Sequence, residues 1–256
     1  MLKTIFSYNI NGLRSAMNKG FDKWLKENQP DILCLQEIKL NPEQMDTSVF
    51  DLMGYRHYWF PAQKPGYSGV ALFCKGKPSK VIYGMGIDKY DDEGRLIRVD
   101  FGDVTVLSVY FPSGTSGYVR QAFKISFLDD FLEWIENIRK ERPNLIISGD
   151  YNIAHTDIDI NYPKKHQQVS GFLPEERSWV DKYLALGYVD TFRLFHSEPN
   201  MYSWWSYRQH ARTKNLGWRI DYIIATKTMI PRIKGASILQ NTLHSDHCPV
   251  TATIDL

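Results

Sequence analysis

Eight short runs rich in apolar and β-branched residues recur along the chain: Thr4–Ile10, Asp31–Gln36, Ser68–Cys74, Leu96–Phe101, Val104–Tyr110, Leu145–Ser148, Trp218–Ala225 and Val250–Ile254. Each has strand length, and none approaches the ~18 apolar residues of a membrane span. One stretch between them reads as a strong helix. There Phe127, Leu128, Phe131, Leu132, Ile135 and Ile138 recur at three-to-four spacing, while Asp129, Asp130, Glu133 and Glu136 face away. Strands that alternate with helices early and cluster as β later predict an α/β fold of two packed sheets with helices outside.

At 256 residues the chain has room for one large domain or two small ones. No low-complexity tract or Pro/Gly/Ser linker divides it, so one domain over residues 1–256 is expected. Hydrophobic residues make up 43% and charged residues 23%, ordinary globular usage that excludes disordered, collagenous and disulfide-scaffold classes. Cys34, Cys74 and Cys248 are far apart with no zinc-type spacing, which points to reduced thiols and a cytoplasmic protein with no signal or membrane segment. Lys and Arg number 31 against 29 Asp and Glu, a net charge of +2. That excludes a histone-like polycation. A nucleic-acid enzyme stays open, because such enzymes concentrate basic charge on one face and carboxylates at a metal.

Two segments echo one another, WLKENQPDILCLQE and WIENIRKERPNLIISGD. Each reads as helix end, proline, buried strand, then an acid, and the offsets agree: 37 − 30 = 7 for Glu37 and 150 − 143 = 7 for Asp150. A proline cannot continue a helix and starts the strand at a fixed point. Glu37 and Asp150 are therefore expected at equivalent C-terminal strand ends, where open α/β sheets bind ligands.

Two further acids adjoin apolar runs, Asp221 inside WRIDYII and Asp246 just before HCPVTATI. One acid so placed is ordinarily a cap or an ion-pair partner. Four, together with Asn9, Asn11 and Asn152, form an all-oxygen set that suits Mg²⁺ or Mn²⁺ rather than zinc or copper. Asp246 and His247 are adjacent, and neighbours on an extended segment point opposite ways. His247 is either a structural histidine at a strand start or an imidazole oriented by a separate carboxylate, with Asp221 the candidate.

The blocks SYNINGLRS, LQEIK, GYSGVALF, GDYNIAHTDID, GWRIDY and SDHCPV together resemble the exonuclease III type of apurinic/apyrimidinic (AP) endonuclease, of the endonuclease/exonuclease/phosphatase superfamily. The resemblance runs from about Leu2 to Ile254. It implies a four-layer α/β sandwich of the DNase I-like kind, two mixed sheets flanked by helices. It also implies a Mg²⁺-dependent repair nuclease, with Mn²⁺ as substitute, acting as a monomer on double-stranded DNA. Its substrates would be abasic sites, cut 5′ to the lesion to leave a 3′-hydroxyl, and blocked 3′ ends, with 3′-phosphodiesterase and 3′→5′ exonuclease activities.

Carried over by position, the resemblance implies Glu37 as principal metal ligand, with Asn9, Asn11 and Asp246 near the ion or its waters. Asp150, helped by Asn152, would orient and deprotonate the attacking water, both also lying at the metal; alternatively His247 is the effective base. His247 would be held by Asp221 and contact a phosphate oxygen, with Tyr110 beside the scissile phosphate. Within Ser203–Arg219, a stretch with Arg208, Arg212, Lys214 and Arg219 and no acid, basic residues would grip phosphates. Trp204, Trp218 and Ile220 would wall a pocket for a flipped, base-less sugar, which Gly171 leaves open, and Arg208 would enter the duplex groove. His166, with Lys164 and Lys165, would touch the DNA backbone. Asn11 and Ser116 depart from animal members, which carry Asp and Arg there. Two rivals remain, a same-fold phosphoesterase on a non-DNA substrate and a catalytically silent DNA-binding module.

Overall fold

The computed structural model describes residues 1–256. Its twelve strands are β1 (Leu2–Asn9), β2 (Ile32–Gln36), β3 (Arg56–Phe60), β4 (Val70–Cys74), β5 (Lys80–Tyr83), β6 (Leu96–Phe101), β7 (Val104–Tyr110), β8 (Asn144–Asp150), β9 (Tyr188–Asp190), β10 (Asp221–Thr226), β11 (Ile233–Ile238) and β12 (Val250–Asp255). The helices are α1 (Leu13–Asn18), α2 (Phe21–Asn28), α3 (Ser48–Leu52), α4 (Asp88–Asp91), α5 (Tyr118–Glu141), α6 (Pro163–His166) and α7 (Pro174–Ala185).

The strands form two six-stranded mixed sheets, in the orders β11-β12-β1-β2-β4-β3 and β5-β6-β7-β8-β10-β9. All eight runs read from the sequence are interior strands of these sheets. The four strands missed, β3, β5, β9 and β11, are the four sheet edges. An edge strand keeps part of itself in water, so it lacks the continuous apolar run that marks a buried one; β3 has no fully buried residue, and β5 has exposed ends.

Side-chain alternation along the interior strands builds the layers. Ile32, Cys34, Val70, Leu72, Val104, Val106, Ile146 and Ile223 fill the space between the sheets. Their neighbours Leu33, Leu35, Ala71 and Phe73 pack outward on Leu13, Phe21, Leu25 and Phe50 of α1 to α3. On the other sheet Leu107, Val109, Leu145 and Ile147 pack on Phe127, Phe131 and Ile135 of α5 and on Trp179 and Tyr183 of α7. The result is the expected four layers, helix, sheet, sheet, helix.

Topology gathers the acids. β1 and β2 run parallel with Asn9 opposite Gln36, and β7 and β8 run parallel with Tyr110 opposite Asp150. Antiparallel β10 starts with Asp221 opposite Asp150, and antiparallel β12 starts with Val250 opposite Ser7. The starts of β10 and β12 therefore lie at the same edge as the ends of β1, β2, β7 and β8. No helix is long and apolar enough to cross a membrane.

Candidate active site

Eight groups meet at that edge: Asn9, Asn11, Glu37, Asp150, Asn152, Asp221, Asp246 and His247. Asp150 ends β8, whereas Glu37 lies one residue beyond β2, at φ 51°. The matched proline offsets thus place the two acids at the same edge but one step out of register. Glu37 is one of four site residues, with Asn11, Lys39 and Asn152, whose φ is positive although none is glycine. Such backbone costs free energy and persists where surrounding contacts hold it. Here Gly12 N–H donates to the Glu37 carbonyl at 2.8 Å, and Asn152 N–H donates to Asp150 Oδ1 at 2.8 Å.

Asn9 binds the two acids together: its Nδ2 donates to Glu37 Oε1 and to Asp150 Oδ2, each at 2.9 Å. Asn152 Nδ2 donates to the Phe111 carbonyl at 3.0 Å and to Asp150 Oδ2 at 3.3 Å. Asn11 Nδ2 donates to Asp246 Oδ1 at 2.8 Å, and Trp204 Nε1 donates to Asp246 Oδ2 at 3.0 Å. His247 Nδ1 lies 2.8 Å from Asp221 Oδ2, and its Nε2 lies 3.9 Å from Asp150 Oδ2. Asp246 and His247, although sequence neighbours, line one cavity while answering to different partners.

Charge at this centre is unbalanced. Burial, then the Asp221 carboxylate, pushes Asp150 up to about 7, against the pull of His247. Burial opposes charge on His247, but Asp221, Asp150 and Asp246 push its imidazole up to about 10. Glu37 and Asp246 resist burial and stay below the usual carboxylate range, Glu37 through Lys39 and Asn9, Asp246 through His247, Asn11 and Trp204. The Tyr110 phenol is held protonated by burial and by the Glu37 and Asp150 carboxylates. Asp221 Oδ1 is buried without a hydrogen-bond partner.

Glu37, Asp150 and His247 each offer a ligand atom, all within 4.8 Å of one another. An imidazolium has no lone pair for a metal, so the carboxylates and neighbouring amides form the donor set, and His247 joins as a cation. Surplus carboxylate and oxygen donors fit a hard divalent ion.

One cavity of about 310 Å³ joins this centre to an apolar wall: Glu37, Tyr110, Asn152, Asp246 and His247 on one side, Trp204, Trp218, Ile220 and Gly171 on the other. Trp204 and Trp218 meet edge to face, centroids 5.9 Å apart, and His166 packs edge-on against Trp218 at 5.2 Å. Gly171 has φ 98°, and a Cβ there would sit 2.8 Å from the Trp218 ring, so the position admits glycine alone without a shift.

The acid-free stretch divides. Arg208 is exposed at a turn tip with Tyr207. Lys214 is exposed but lines a different cavity, with Tyr162 and Asn200. Arg212 and Arg219 do not serve as phosphate grips. The Arg212 guanidinium donates to the carbonyls of Ser245, Gln240 and Thr242, and Arg219, 1% exposed, pairs with Asp159 and Asp190. Basic letters do not separate a free arginine from one neutralised by a distant acid, which is why the sequence misled.

Two basic residues were missed. Lys39, inside LQEIK, lies 2.7 Å from Glu37 Oε2. Buried Arg95 donates to the Tyr110 carbonyl at 2.8 Å and sits over the Tyr110 ring at 4.9 Å. Lys39 was legible from its place two residues after Glu37; Arg95 carried no signal beyond a charge in an apolar run.

The model of the Endonuclease/Exonuclease/phosphatase family matches residues 6–247. The chain belongs to this family. Its relatives include the exodeoxyribonuclease of Bacillus subtilis, 41% identical over 98% of this chain and 99% of the relative. The DNA repair nuclease APEX1 of Danio rerio is 37% identical over 96% of this chain and 80% of the relative. Among solved structures, an AP endonuclease from Archaeoglobus fulgidus superimposes with a TM-score of 0.91 at 30% identity, covering 99% of this chain and 100% of that one. For this member of the endonuclease/exonuclease/phosphatase family, the carboxylate edge and the tryptophan wall lie within one matched region.

Proposed function

We propose that the protein is a Mg²⁺-dependent nuclease that hydrolyses the phosphodiester 5′ to an abasic site in duplex DNA and leaves a 3′-hydroxyl, with 3′-phosphodiesterase and 3′→5′ exonuclease activities. It is a hydrolytic DNA-repair enzyme, as its exodeoxyribonuclease and AP endonuclease relatives are. The observation that carries the finer reading is the shared cavity: hydrolytic groups and a small apolar wall enclose the same 310 Å³. A base-less sugar would fit such a wall, and an added base would crowd it. A phosphatase for a small soluble ester would have no use for two tryptophans beside its carboxylates, and a silent binding module would have no use for the carboxylate surplus. All the groups come from one chain, which supports action as a monomer.

Glu37, Asp246 and Asp150, with Asn9, Asn11 and Asn152 beside them, would hold the divalent ion. Held there, a divalent ion would supply positive charge to the phosphate oxygens and the leaving alkoxide. Asp150, held by two side-chain amides and one backbone N–H, is oriented to take a proton from water. His247, kept as imidazolium by Asp221, supplies a fixed positive donor for a non-bridging oxygen. Tyr110, protonated, adds a neutral donor beside Glu37.

The test is a labelled duplex with one tetrahydrofuran abasic analogue, incubated with Mg²⁺ or with EDTA. A single cut 5′ to the analogue, in the Mg²⁺ lane alone, is expected. An intact strand in both lanes would remove the nuclease reading, and equal cutting of undamaged duplex would remove the lesion specificity.

A further inference from the structure

The apolar stripe of α5 contains an exception. Lys124 stands one turn before Phe127 and Leu128, and its side chain has no exposure at all. Its ammonium donates to Glu176 Oε1 of α7 at 2.6 Å and to the backbone carbonyl of Asn152 at 2.8 Å. Glu176 is equally buried. Its Oε2 accepts from the backbone N–H of Gly171 at 2.6 Å and of Leu173 at 3.0 Å. Its Oε1 also accepts from Gln121 Nε2 at 3.0 Å and from Ser170 Oγ at 3.3 Å.

A buried ion pair is a poor device for stability, since apolar side chains of similar volume commonly serve a core as well. What this pair does that methionine could not is hold two backbone segments at once. One end fixes the turn that carries Asn152. The other fixes residues 170–173, which border the cavity at Ser170 and Gly171. The two segments also share a bond from Ala154 N–H to the Gly171 carbonyl at 2.8 Å. A Cβ at Gly171 would stand 3.1 Å from the Asn152 carbonyl oxygen and 2.8 Å from the Trp218 ring. Where the segments meet, the Gly171 backbone fills the space between the Asn152 carbonyl and the Trp218 ring and leaves no room for even a methyl group.

We propose that Lys124 and Glu176 are positioning residues that set the gap between the Asn152 turn, the 170–173 segment and the Trp218 ring, and thereby the pocket's preference for a sugar without a base over an intact nucleotide. This rests on the abasic-site reading above. Neither residue touches substrate; both act through the segments they hold.

The test measures kcat/KM for a tetrahydrofuran duplex and for the matched undamaged duplex, in wild type and in the double variant Lys124→Met/Glu176→Gln. That double variant removes both charges together and leaves an oxygen for the Gly171 N–H. A loosened wall admits a base, so the abasic-to-undamaged ratio is expected to fall about tenfold. A purely structural role lowers the folded fraction, which scales both rates alike and leaves the ratio unmoved. Gln121→Ala, which strands no buried charge, is the second variant and is expected to lower the ratio about threefold, in the same direction; it decides the matter if the double variant does not fold. A ratio within twofold of wild type in the folded variants overturns the positioning role. If wild type itself shows no abasic preference, the function proposed above fails instead, and the two failures are distinct.

Discussion

Arg219 and Asp221 stand two residues apart on one extended segment, each 1% exposed, and enter opposite kinds of charge cluster. Arg219 joins Asp159, Asp190 and Arg193, two cations with two carboxylates. Burial opposes charge on Asp159, yet the Arg219 guanidinium and then Arg193 hold its carboxyl well below the usual aspartate range. Asp221 joins Glu37, Asp150, Asp246, His247 and Lys39, four carboxylates with two cations, and there Asp150 is pushed up. The first cluster closes on itself; the second is short of positive charge that only something from outside can supply. Between them Ile220 faces the cavity, so one short segment anchors the fold, walls the pocket and orients the histidine.

The comparison predicts that substitutions on the two sides fail differently. The largest effect belongs to the unbalanced cluster. Asp150→Asn should lower the rate of abasic cleavage roughly 10²–10⁴-fold, the span for losing a general base, while affinity for the tetrahydrofuran duplex persists and thermal stability does not fall. Binding that weakens in step with the rate would make Asp150 a positioning group. On the balanced side, Arg219→Met should cost about 3–5 kcal/mol of stability, because it strands buried carboxylates. The pH dependence follows from the direction of the Asp159 shift. A folded pKa below the unfolded value of about 3.9 gives stabilisation that is complete above that value and is lost as pH falls through the folded one. The Tm gap between wild type and Arg219→Met should therefore be widest at neutral pH and narrow below about pH 4; a gap constant from pH 7 to 3 would show that packing, not charge, is lost. The smallest effect concerns the wall they share. Trp218→Ala should reduce discrimination for the abasic site by roughly 1–3 kcal/mol, the range for stacking aromatics in nucleic-acid sites, with folding intact; an unchanged ratio of damaged to undamaged cutting would remove Trp218 from recognition.

The same contrast explains what the sequence could tell. Interior strands announce themselves because both faces are apolar, so β1, β2, β4, β6, β7, β8, β10 and β12 were legible, and the acids Glu37, Asp150, Asp221 and Asp246 stood out against those runs. Edge strands such as β3, with every residue at least partly exposed, blend into loops. Charges within apolar runs were ambiguous one by one. Asp221 and Arg219 look alike in GWRIDY, and only the partners, 60 residues away for Asp159 and 71 for Asp150, separate function from anchorage. Lys124 was invisible for the same reason: in a helical stripe it reads as an imperfection until Glu176 and the Asn152 carbonyl are seen around it.

The pairing of β1 with β12, Leu2 opposite Asp255, has a consequence for synthesis. Asn9 and His247 are 247 − 9 = 238 positions apart, yet they belong to one centre. A chain emerging from the ribosome holds β1 with one side open, waiting for a partner that is made far later, and its many distant pairings make for slow closure. Until then Asp246 and His247 are missing from the centre that Asn9, Glu37, Asp150 and Asp221 share.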